Sequence, residues 1–295
     1  MGLCDEVRSS CAAIAAAATH VRIDEDRLSA YDDMRPPSEP PPLDAERHYL
    51  EGSVQDVATY LLCLDTINFG SGWWPLIRKR PFSSGYFTVA WALADRFRDG
   101  RGPLTNEQLR AMSADEIAEV LGQDPSLELM SLFAQALREL GRFLGDRAAL
   151  EVVRGAGGSA ERLAETLARG MAMYDDRGFY KRAQIVPSDM ALAGVERFAD
   201  LDRLTIFADN LVPHVLRCDG ILVYEPELAA LIDEGRLLPF DEREREIRAC
   251  AVHATELLSA RLAVPPRALD MWLWNRGQGE SYKARPRHRC RTVFY

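Results

Sequence analysis

The residue whose setting most suggests chemistry is Asp209, in the stretch LTIFADNLVPHVLR at 204–217. Apolar residues precede this carboxylate, and a helical spacing of apolar residues resumes at Leu211. Pro213 suits the first turn of that helix, where the amide hydrogen that proline lacks would have no partner. The pattern predicts Asp209 at the helix N-cap or one residue outside it, where unpaired N–H groups and the helix dipole favour an anion. Two roles stay open: a capping residue, or a carboxylate that faces a developing positive charge.

A second group of candidate residues lies in the loop TINFGSGWWP at 66–75. Its glycines permit close backbone approach, and Phe69 and Trp73 provide flat apolar faces. Asn68 and Ser71 provide hydrogen-bonding groups. The loop could fill the core at a turn between helices, or it could form a wall that stacks on a planar ring.

A third candidate segment, YDDRGFYKRAQIVPS at 174–188, is dense in polar and aromatic residues. Lys181 lies in a helical pattern, and its ordinary place would be a solvated helix face, because lysine is seldom buried unpaired. Asp189 follows Pro187 and is expected to cap a further helix at 190–195.

The C-terminal segment 283–291, KARPRHRCR, is basic, and no acidic residue follows Glu280. Nuclear targeting or a disordered tail would explain this composition. However, the chain ends in the apolar sequence TVFY at 292–295, which favours a packed end. We therefore expect this basic segment to pack against the rest of the protein, where its cations could bind a phosphate.

The composition excludes several classes of protein. The 295 residues are 47% hydrophobic and 27% charged, as in soluble globular proteins. The net charge of −9 argues against binding of DNA or RNA by the molecule as a whole. Six cysteines without a CxxC pair make a disulfide framework or a zinc site improbable. No apolar run reaches the ~18 residues needed to span a bilayer, so we expect a reduced, cytoplasmic protein without membrane association.

The elements that must position these residues are mostly helical, and we predict a mainly α-helical single domain with few short strands. We expect an N-terminal helix and a proline-rich extension at 1–43, packed on a domain at 44–295. Capping residues are predicted at Thr105, Ser113 and Ser159. In the longest helix we expect the pairs Asp241–Arg245 and Glu244–Arg248 on the exposed face. The predicted helices are 7–21, 44–65 with interruptions at 52 and 53, 84–97, 106–112, 117–121, 126–144, 160–168, 190–195, one opened by the segment 224–227 and ending at 234, 241–262 and one from 265; the predicted strands are 221–224 and 291–294.

Six motifs resemble those of the queuosine salvage proteins and occur in the same order along the chain. The resemblance extends from about Asp44 to Tyr295. It implies hydrolysis of the N-glycosidic bond of queuosine 5′-monophosphate, with release of the base queuine. It also implies a helical fold similar to that of helix–hairpin–helix DNA glycosylases, without their DNA-binding role. The motifs are Asp65-x-x-Asn68-Phe-Gly-Ser-Gly-Trp73, Tyr180-Lys-Arg-Ala-Gln184, Phe207-Ala-Asp209, Glu246-Ile-Arg248, Leu273-Trp274, and Arg287-His-Arg-x-Arg291 through Tyr295.

The resemblance gives Asp209 the role of the essential aspartate and Lys181 that of its partner lysine. Breaking the C1′–N bond builds positive charge on the ribose, and a fixed carboxylate beneath C1′ stabilises that charge. Asp209 could also activate the attacking water or form a covalent glycosyl adduct. Lys181 could hold Asp209 ionised, donate to the ribose or help the base to depart.

The remaining substrate contacts follow from the shape and charge of such a nucleotide. Queuine is a 7-deazapurine, so protonation at N7 cannot assist the departure of the base. Its departure must be assisted by contacts to the other ring edges. We assign Asp189 and Asn68 to those edges, with Ser71 as a further polar contact. No metal and no cofactor are expected. The aromatic walls are expected from Phe69, Trp73, Phe207 and Trp274, and the phosphate contacts from His288, Arg289 and Arg291.

Two other functions remain possible at this point. A nucleic-acid base-excision glycosylase of the same fold would need a broad positive surface and a hairpin, which the segment 200–204 lacks. A non-catalytic queuine-binding protein would bind the base without cleaving the nucleotide. We favour a monomer that acts on the free nucleotide and does not bind nucleic acid.

Overall fold

Fourteen α-helices dominate residues 2–295, the part of the chain described by this computed structural model. Its two β-strands, β1 (Val21–Ile23) and β2 (Leu222–Tyr224), pair antiparallel with Val21 opposite Tyr224. The prediction of a mainly α-helical chain is therefore confirmed. The helices are α1 (Leu3–Ala17), α2 (Val54–Thr66), α3 (Gly85–Arg98), α4 (Asn106–Ala111), α5 (Ala114–Leu121), α6 (Glu128–Leu144), α7 (Ala149–Gly155), α8 (Ala160–Gly170), α9 (Lys181–Leu192), α10 (Val212–Cys218), α11 (Pro226–Asp233), α12 (Glu242–Leu262), α13 (Pro266–Arg276) and α14 (Glu280–Lys283).

Several helix starts follow directly from local sequence. Thr105 and Ser113 are helix caps as predicted, and each forms a capping box with the residue three positions later. Ser159 accepts a hydrogen bond from the Arg162 amide at the start of α8. Here a short polar side chain satisfies backbone N–H groups that the helix itself leaves unpaired.

The first predicted helix was too long at its C-terminal end. Helix α1 ends at Ala17, and Val21 begins strand β1 instead of closing the helix. The buried Glu246 carboxylate accepts hydrogen bonds from the backbone amides of Thr19, His20 and Val21. A distant acidic side chain therefore replaces the helical hydrogen bonds at these positions. The predicted strand at 291–294 is not formed either, and the tail makes only an isolated bridge between Cys290 and Leu238.

Two expectations about helix bounds near the site were also wrong. Helix α2 begins at Val54, after the Ser53 cap, and residues 44–53 form turns rather than a helix. Helix α9 continues through Pro187 to Leu192, so Asp189 lies inside this helix and does not cap another one. Proline in a helix interior is unfavourable, but nearly all of α9 is buried, and its packing retains the helix.

The long helix α12 lies at the centre of the molecule. It packs against α1 on one side and against α10 and α13 on another. The pair formed by Glu244 and Arg248 is consequently buried, contrary to the expected exposed face, with 3.7 Å between Nη1 and Oε1. Asp241 pairs with Arg243 instead of Arg245.

The N-terminal helix α1 contacts α8 as well as α12, so residues 1–43 include an element in close contact with the remaining helices. The division of the chain at residue 43 stays a prediction. None of the helices within residues 2–295 combines the length and the apolarity required to cross a membrane.

Candidate active site

A cavity of about 460 Å³ opens between the proline-rich segment, α3, α9 and α13. The predicted site residues Asn68, Lys181, Asp189, Phe207, Asp209 and Trp274 all line it. The structure thus brings together both expected catalytic side chains and four of the expected substrate contacts. Further lining residues that had no role in the sequence interpretation include Pro41, Pro42, Leu43, His48, Tyr86, Asp270, Met271 and Gln278.

Asp209 caps the start of α10 and also lines the cavity. Its Oδ1 accepts hydrogen bonds from the amides of Leu211 (2.7 Å) and Val212 (3.3 Å), at the start of α10. Asp209 also lines the cavity, and no hydrogen bond to its Oδ2 occurs within residues 2–295. The helix start therefore fixes one oxygen and leaves the other available to a ligand.

Lys181 is buried at the cavity wall and does not lie on a solvated helix face. Its side chain is 5% exposed, and its Nζ donates to the backbone oxygen of Asn68 at 3.1 Å and to Asn68 Oδ1 at 3.5 Å. Burial lowers the Lys181 pKa, whereas the Asp209 carboxylate raises it. The two groups interact through their charges and do not form a direct ion pair within 4 Å in the described structure.

The buried Arg248 guanidinium connects the two segments that carry these side chains. Its Nη1 and Nη2 donate to the two oxygens of Asp176, at 3.0 and 2.6 Å. Asp176 also accepts the Lys181 amide hydrogen at 3.3 Å. Arg248 Nε donates to the Ala208 oxygen at 2.9 Å, directly before Asp209. This arginine thus fixes the start of α9 relative to the segment that carries Asp209.

Three further carboxyl groups lie at or beneath the cavity floor. Asp270 Oδ1 accepts the Phe207 amide hydrogen at 2.8 Å, and burial together with Asp209 raises the pKa of Asp270 to about 8. Burial raises the pKa of Asp189 to about 7, although Lys181 opposes this shift. Asp65 is fully buried without a hydrogen-bond partner, and its pKa is raised well above the ordinary range. The site can therefore supply both an ionised carboxylate and neutral carboxyl groups that donate protons.

The aromatic wall differs in part from the expected one. Trp274 contacts Phe87 and Tyr86 edge-on, with ring centroids 5.6 and 6.0 Å apart. His48 Nδ1 lies 2.8 Å from the Asp44 carbonyl oxygen, so we assign the proton to Nδ1. Nε2 then accepts the Tyr86 hydroxyl proton at 3.0 Å, and the Tyr86 oxygen keeps its acceptor capacity for a ligand.

Six predicted substrate contacts lie outside the cavity, and four of them are in the core or on the surface. Phe69 packs in the core against Phe133, and Trp73 is buried with its Nε1 donating to Glu128 at 2.9 Å. Arg291 lies on the surface, 3.5 Å from the same carboxylate. His288 is buried beside Tyr295. The aromatic part of the 66–75 loop therefore fills the core, because its apolar rings gain more from burial there than at a polar cavity.

Ser71 and Arg289 are not in the cavity but line a neighbouring hollow of about 280 Å³. Leu211 and Gly277 also line this hollow and do not line the cavity. A Cβ on Gly277 would lie 2.7 Å from Leu211 Cδ1, so the close packing of these two residues depends on glycine. The sequence interpretation missed Arg287, a residue of the same hollow, although this arginine begins one of the quoted motifs.

The fold and the cavity define a mainly α-helical protein with a carboxylate–lysine site suited to a flat, polar small molecule. The family model described as "Queuosine salvage protein" matches residues 48–295, and the chain belongs to this family. The resemblance seen in the motifs is therefore confirmed.

Similar proteins carry the name queuosine 5′-phosphate N-glycosylase/hydrolase. One from Sphaerobacter thermophilus is 34% identical over 281 residues, which cover 87% of this chain and 86% of that protein. One from Dictyostelium discoideum is 30% identical over a match that covers 81% of this chain and 78% of that protein. One from Mus musculus is 28% identical and covers 83% of each chain.

Proposed function

We propose that this chain hydrolyses the N-glycosidic bond of queuosine 5′-phosphate and releases queuine. The single observation that carries this proposal is the position of Asp209 on the cavity wall beside the buried Lys181, in a chain of the queuosine salvage family. The names of the similar proteins support this substrate and this reaction.

In the proposed reaction, Asp209 stabilises the positive charge that develops on the ribose as the C1′–N bond breaks. Two backbone amides hold one of its oxygens, so the carboxylate needs little reorganisation as the reaction proceeds. The bonding electron pair leaves with the base nitrogen, and a water oxygen forms the new bond to C1′. The water proton passes to a carboxylate or to solvent, and the departing base gains a proton. The geometry is compatible with either a direct water attack or a transient glycosyl–Asp209 adduct.

Neutral carboxyl groups are suited to assist the departing base, because a 7-deazapurine offers no N7 to protonate. Asp189 was assigned to this role from the sequence, and Asp270 joins it because its pKa of about 8 keeps it protonated at pH 7. Asn68 lies beside them, held by the Lys181 ammonium. Lys181 offsets part of the charge of this acidic cluster and lowers the pKa of Asp189 and of Asp270 against the effect of burial.

Aromatic side chains are suited to hold the flat base above these polar groups. Trp274 and Phe207 line the cavity on the side of α13 and of the Asp209 segment. Offset or edge contacts of this kind stabilise a planar ring in a pocket. We further propose that the protein acts as a cytoplasmic monomer on the free nucleotide, independently of membranes and nucleic acid, and the net charge of −9 supports the last point.

The test is release of queuine from queuosine 5′-phosphate by the purified protein, measured by liquid chromatography with mass spectrometry. We expect Asp209→Asn to lower kcat by about 10²- to 10³-fold with the fold retained, because only the charge is removed. Asp202→Asn is the matched control, since Asp202 is an exposed aspartate shortly before the site. Failure of the unsubstituted protein to release queuine, or full activity of Asp209→Asn, would contradict the proposal.

A further inference from the structure

One wall of the active-site cavity is not helical. Helices α3, α9 and α13 form three sides, whereas Pro41, Pro42 and Leu43 line the cavity from residues 35–43, which we call the strap. The strap belongs to no helix or strand, and the family match begins only at residue 48. It is therefore the part of the wall that regular structure fixes least.

The backbone of the strap is not hydrogen-bonded to the rest of the protein. Five of its nine residues are prolines, which have no N–H group to donate. Within residues 2–295, no hydrogen bond reaches a backbone N–H or carbonyl group of the strap. Runs of proline favour a stiff, extended backbone. The strap can therefore move as one unit without breaking a backbone hydrogen bond.

Both ends of the strap are held firmly. On its N-terminal side, the buried Tyr31 donates to Asp219, and Asp32 pairs with Arg261 at 2.5 Å. On its C-terminal side, Arg98 Nη2 donates to the carbonyl oxygens of residues 45 and 48, at 3.1 and 2.7 Å. The two anchors restrict any movement to the strap itself.

A single polar contact holds the middle of the strap. Glu39 Oε2 lies 3.1 Å from Arg267 Nη2, and this is the one ion pair or hydrogen bond that strap side chains form within residues 2–295. The Glu39 side chain is 76% exposed, whereas that of Arg267 is 4% exposed. Arg267 Nε is buried without a partner. An ion pair with one solvated member is weak enough to break and form again.

Arg267 connects this contact to the active site. It lies in the first turn of α13, and Asp270 and Trp274 follow at helical spacing on the same face, where both line the cavity. Burial raises the pKa of Asp189 to about 7, and Lys181 and Arg267 both oppose this shift. The cation that holds the strap is therefore close enough to the site to act on one of its carboxyl groups.

The first residue of the strap is strained. Arg35 has a φ of +45°, in the left-handed region that residues other than glycine seldom adopt. It also precedes Pro36, and proline restricts the backbone of the residue before it. Such a conformation persists only while the surrounding structure imposes it. A rotation at Arg35 would relieve this strain, so this residue is suited to be a hinge.

We propose that the strap is a movable wall that closes over the molecule in the cavity, with the Glu39–Arg267 ion pair as the latch that holds it closed. Glu39 does not line the cavity and is a positioning residue that acts through Arg267. Closure of such a wall retains the bound molecule and excludes water. The inference goes beyond the proposed function, because it does not depend on which bond is cleaved.

The first test measures how easily the strap opens. The thiol of Leu43→Cys, half-buried at the cavity, is labelled with a bulky maleimide and followed by intact mass. In this background, Glu39→Gln should raise the labelling rate by about two- to fivefold, because the latch is lost. Glu39→Lys should raise it by at least about tenfold, because the new cation repels Arg267. An unchanged rate in both variants would overturn the latch.

Glu46→Lys is the matched control, since Glu46 is the next glutamate along the chain and is exposed, and its labelling rate should not change. The native cysteines other than the half-buried Cys218 are buried, and their labelling should stay slow. Equal acceleration at these cysteines would show general unfolding and would overturn the latch. Salt at about 1 M should accelerate labelling with Glu39 present but not in Glu39→Gln, because it screens the ion pair.

The second test measures retention of a ligand. The dissociation rate constant of queuine is followed by stopped-flow fluorescence, to which Trp274 in the cavity wall contributes. We expect Glu39→Lys to raise this constant by at least about fivefold and Glu46→Lys to leave it unchanged. Faster labelling with unchanged dissociation would overturn closure over the ligand. If queuine binds to none of the proteins, the proposed function fails, and the labelling rates still decide whether the latch exists.

Discussion

The cavity and the neighbouring hollow carry opposite charges on two sides of one short segment. Four aspartates line the cavity together with the cations Arg47 and Lys181, whereas the charged residues of the hollow are all cationic. A nucleotide that loses its base has the same polarity, with positive charge developing at C1′ and negative charge at the phosphate. The comparison teaches that residues before and after the start of α10 line two regions of different charge, one rich in carboxyl groups and one whose charged residues are all cationic.

The two regions also differ in how their charges are held. In the cavity, backbone amides and the Arg248 guanidinium fix the functional groups, and burial keeps some carboxyl groups neutral. In the hollow, Lys79 and Arg287 lack partners within residues 2–295. The polar groups of the cavity are therefore held by the protein itself, whereas these two cations of the hollow are not.

The largest effect is expected from breaking the anchor of the acidic side. Arg248→Met leaves Asp176 buried and unpaired, so we expect the free energy of unfolding to fall by about 3–5 kcal/mol. Thermal and urea unfolding measure this loss.

A second variant separates positioning from stability. Arg248→Lys keeps the charge but cannot bind Asp176 through two nitrogens and Ala208 through a third. We expect it to recover part of the stability while kcat stays at least about tenfold low. A normal kcat in Arg248→Lys would show that the arginine acts on the fold alone.

The next effect concerns the cation of the cavity. Lys181→Met removes a buried charge among carboxyl groups while it preserves the length of the side chain. We expect kcat to fall by about 10²-fold with a smaller change in stability, because Lys181 contacts only Asn68 directly. Queuine release and Tm are measured together; a large fall in Tm with a normal kcat would assign Lys181 a structural role.

The pH dependence of kcat tests the role of the neutral carboxyl groups in the cavity. The Asp270 pKa of about 8 means that its neutral form is present below this pH and is lost as the pH rises through it. If this form protonates the departing base, kcat should fall by about tenfold for each pH unit well above 8. Asp270→Asn should abolish this decrease of kcat at high pH, because an amide does not titrate. Persistence of the same decrease in the variant would direct attention to Asp189, and Asp189→Asn is the companion measurement.

The smallest effect is expected on the surface beside the hollow. Arg291→Ala removes an exposed cation that is 3.5 Å from Glu128 and does not line either region. We expect a change of less than about twofold in the preference for the nucleotide and of at most about 1 kcal/mol in stability. A strong loss of this preference would show that Arg291 contacts the phosphate.

The sequence predicted the local features of this molecule better than the distant ones. The capping boxes at Thr105 and Ser113 depend on residues three positions apart, and both were found. The end of α1 depends on Glu246, more than 200 positions away, and no local pattern contains this information. Residues Glu244 and Arg248 have the spacing of an exposed pair, and only the packing of α12 shows that they are buried.

The same distinction applies to the site. The position of Asp209 before a helix was predicted from the local sequence, and the family motifs gave Asp209 and Lys181 their expected roles. The cavity also contains Asp270 and Tyr86, which periodicity alone would place among core residues of their helices. Lys79 and Arg287 are about 200 positions apart, and their proximity arises only when the C-terminal tail crosses the 66–75 loop. That crossing is close: a Cβ on Gly72 would lie 2.6 Å from the Cys290 oxygen. The similarity to helix–hairpin–helix DNA glycosylases stays a prediction.

The central claim is that the Asp209 carboxylate stabilises positive charge at the sugar carbon. The most direct measurement is the dissociation constant of a ribose 5-phosphate analogue with a protonated ring nitrogen, relative to an uncharged carbocyclic analogue. We expect the unsubstituted protein to prefer the cation by at least about 100-fold and Asp209→Asn to lose nearly all of this preference. An equal preference in both proteins would contradict the account.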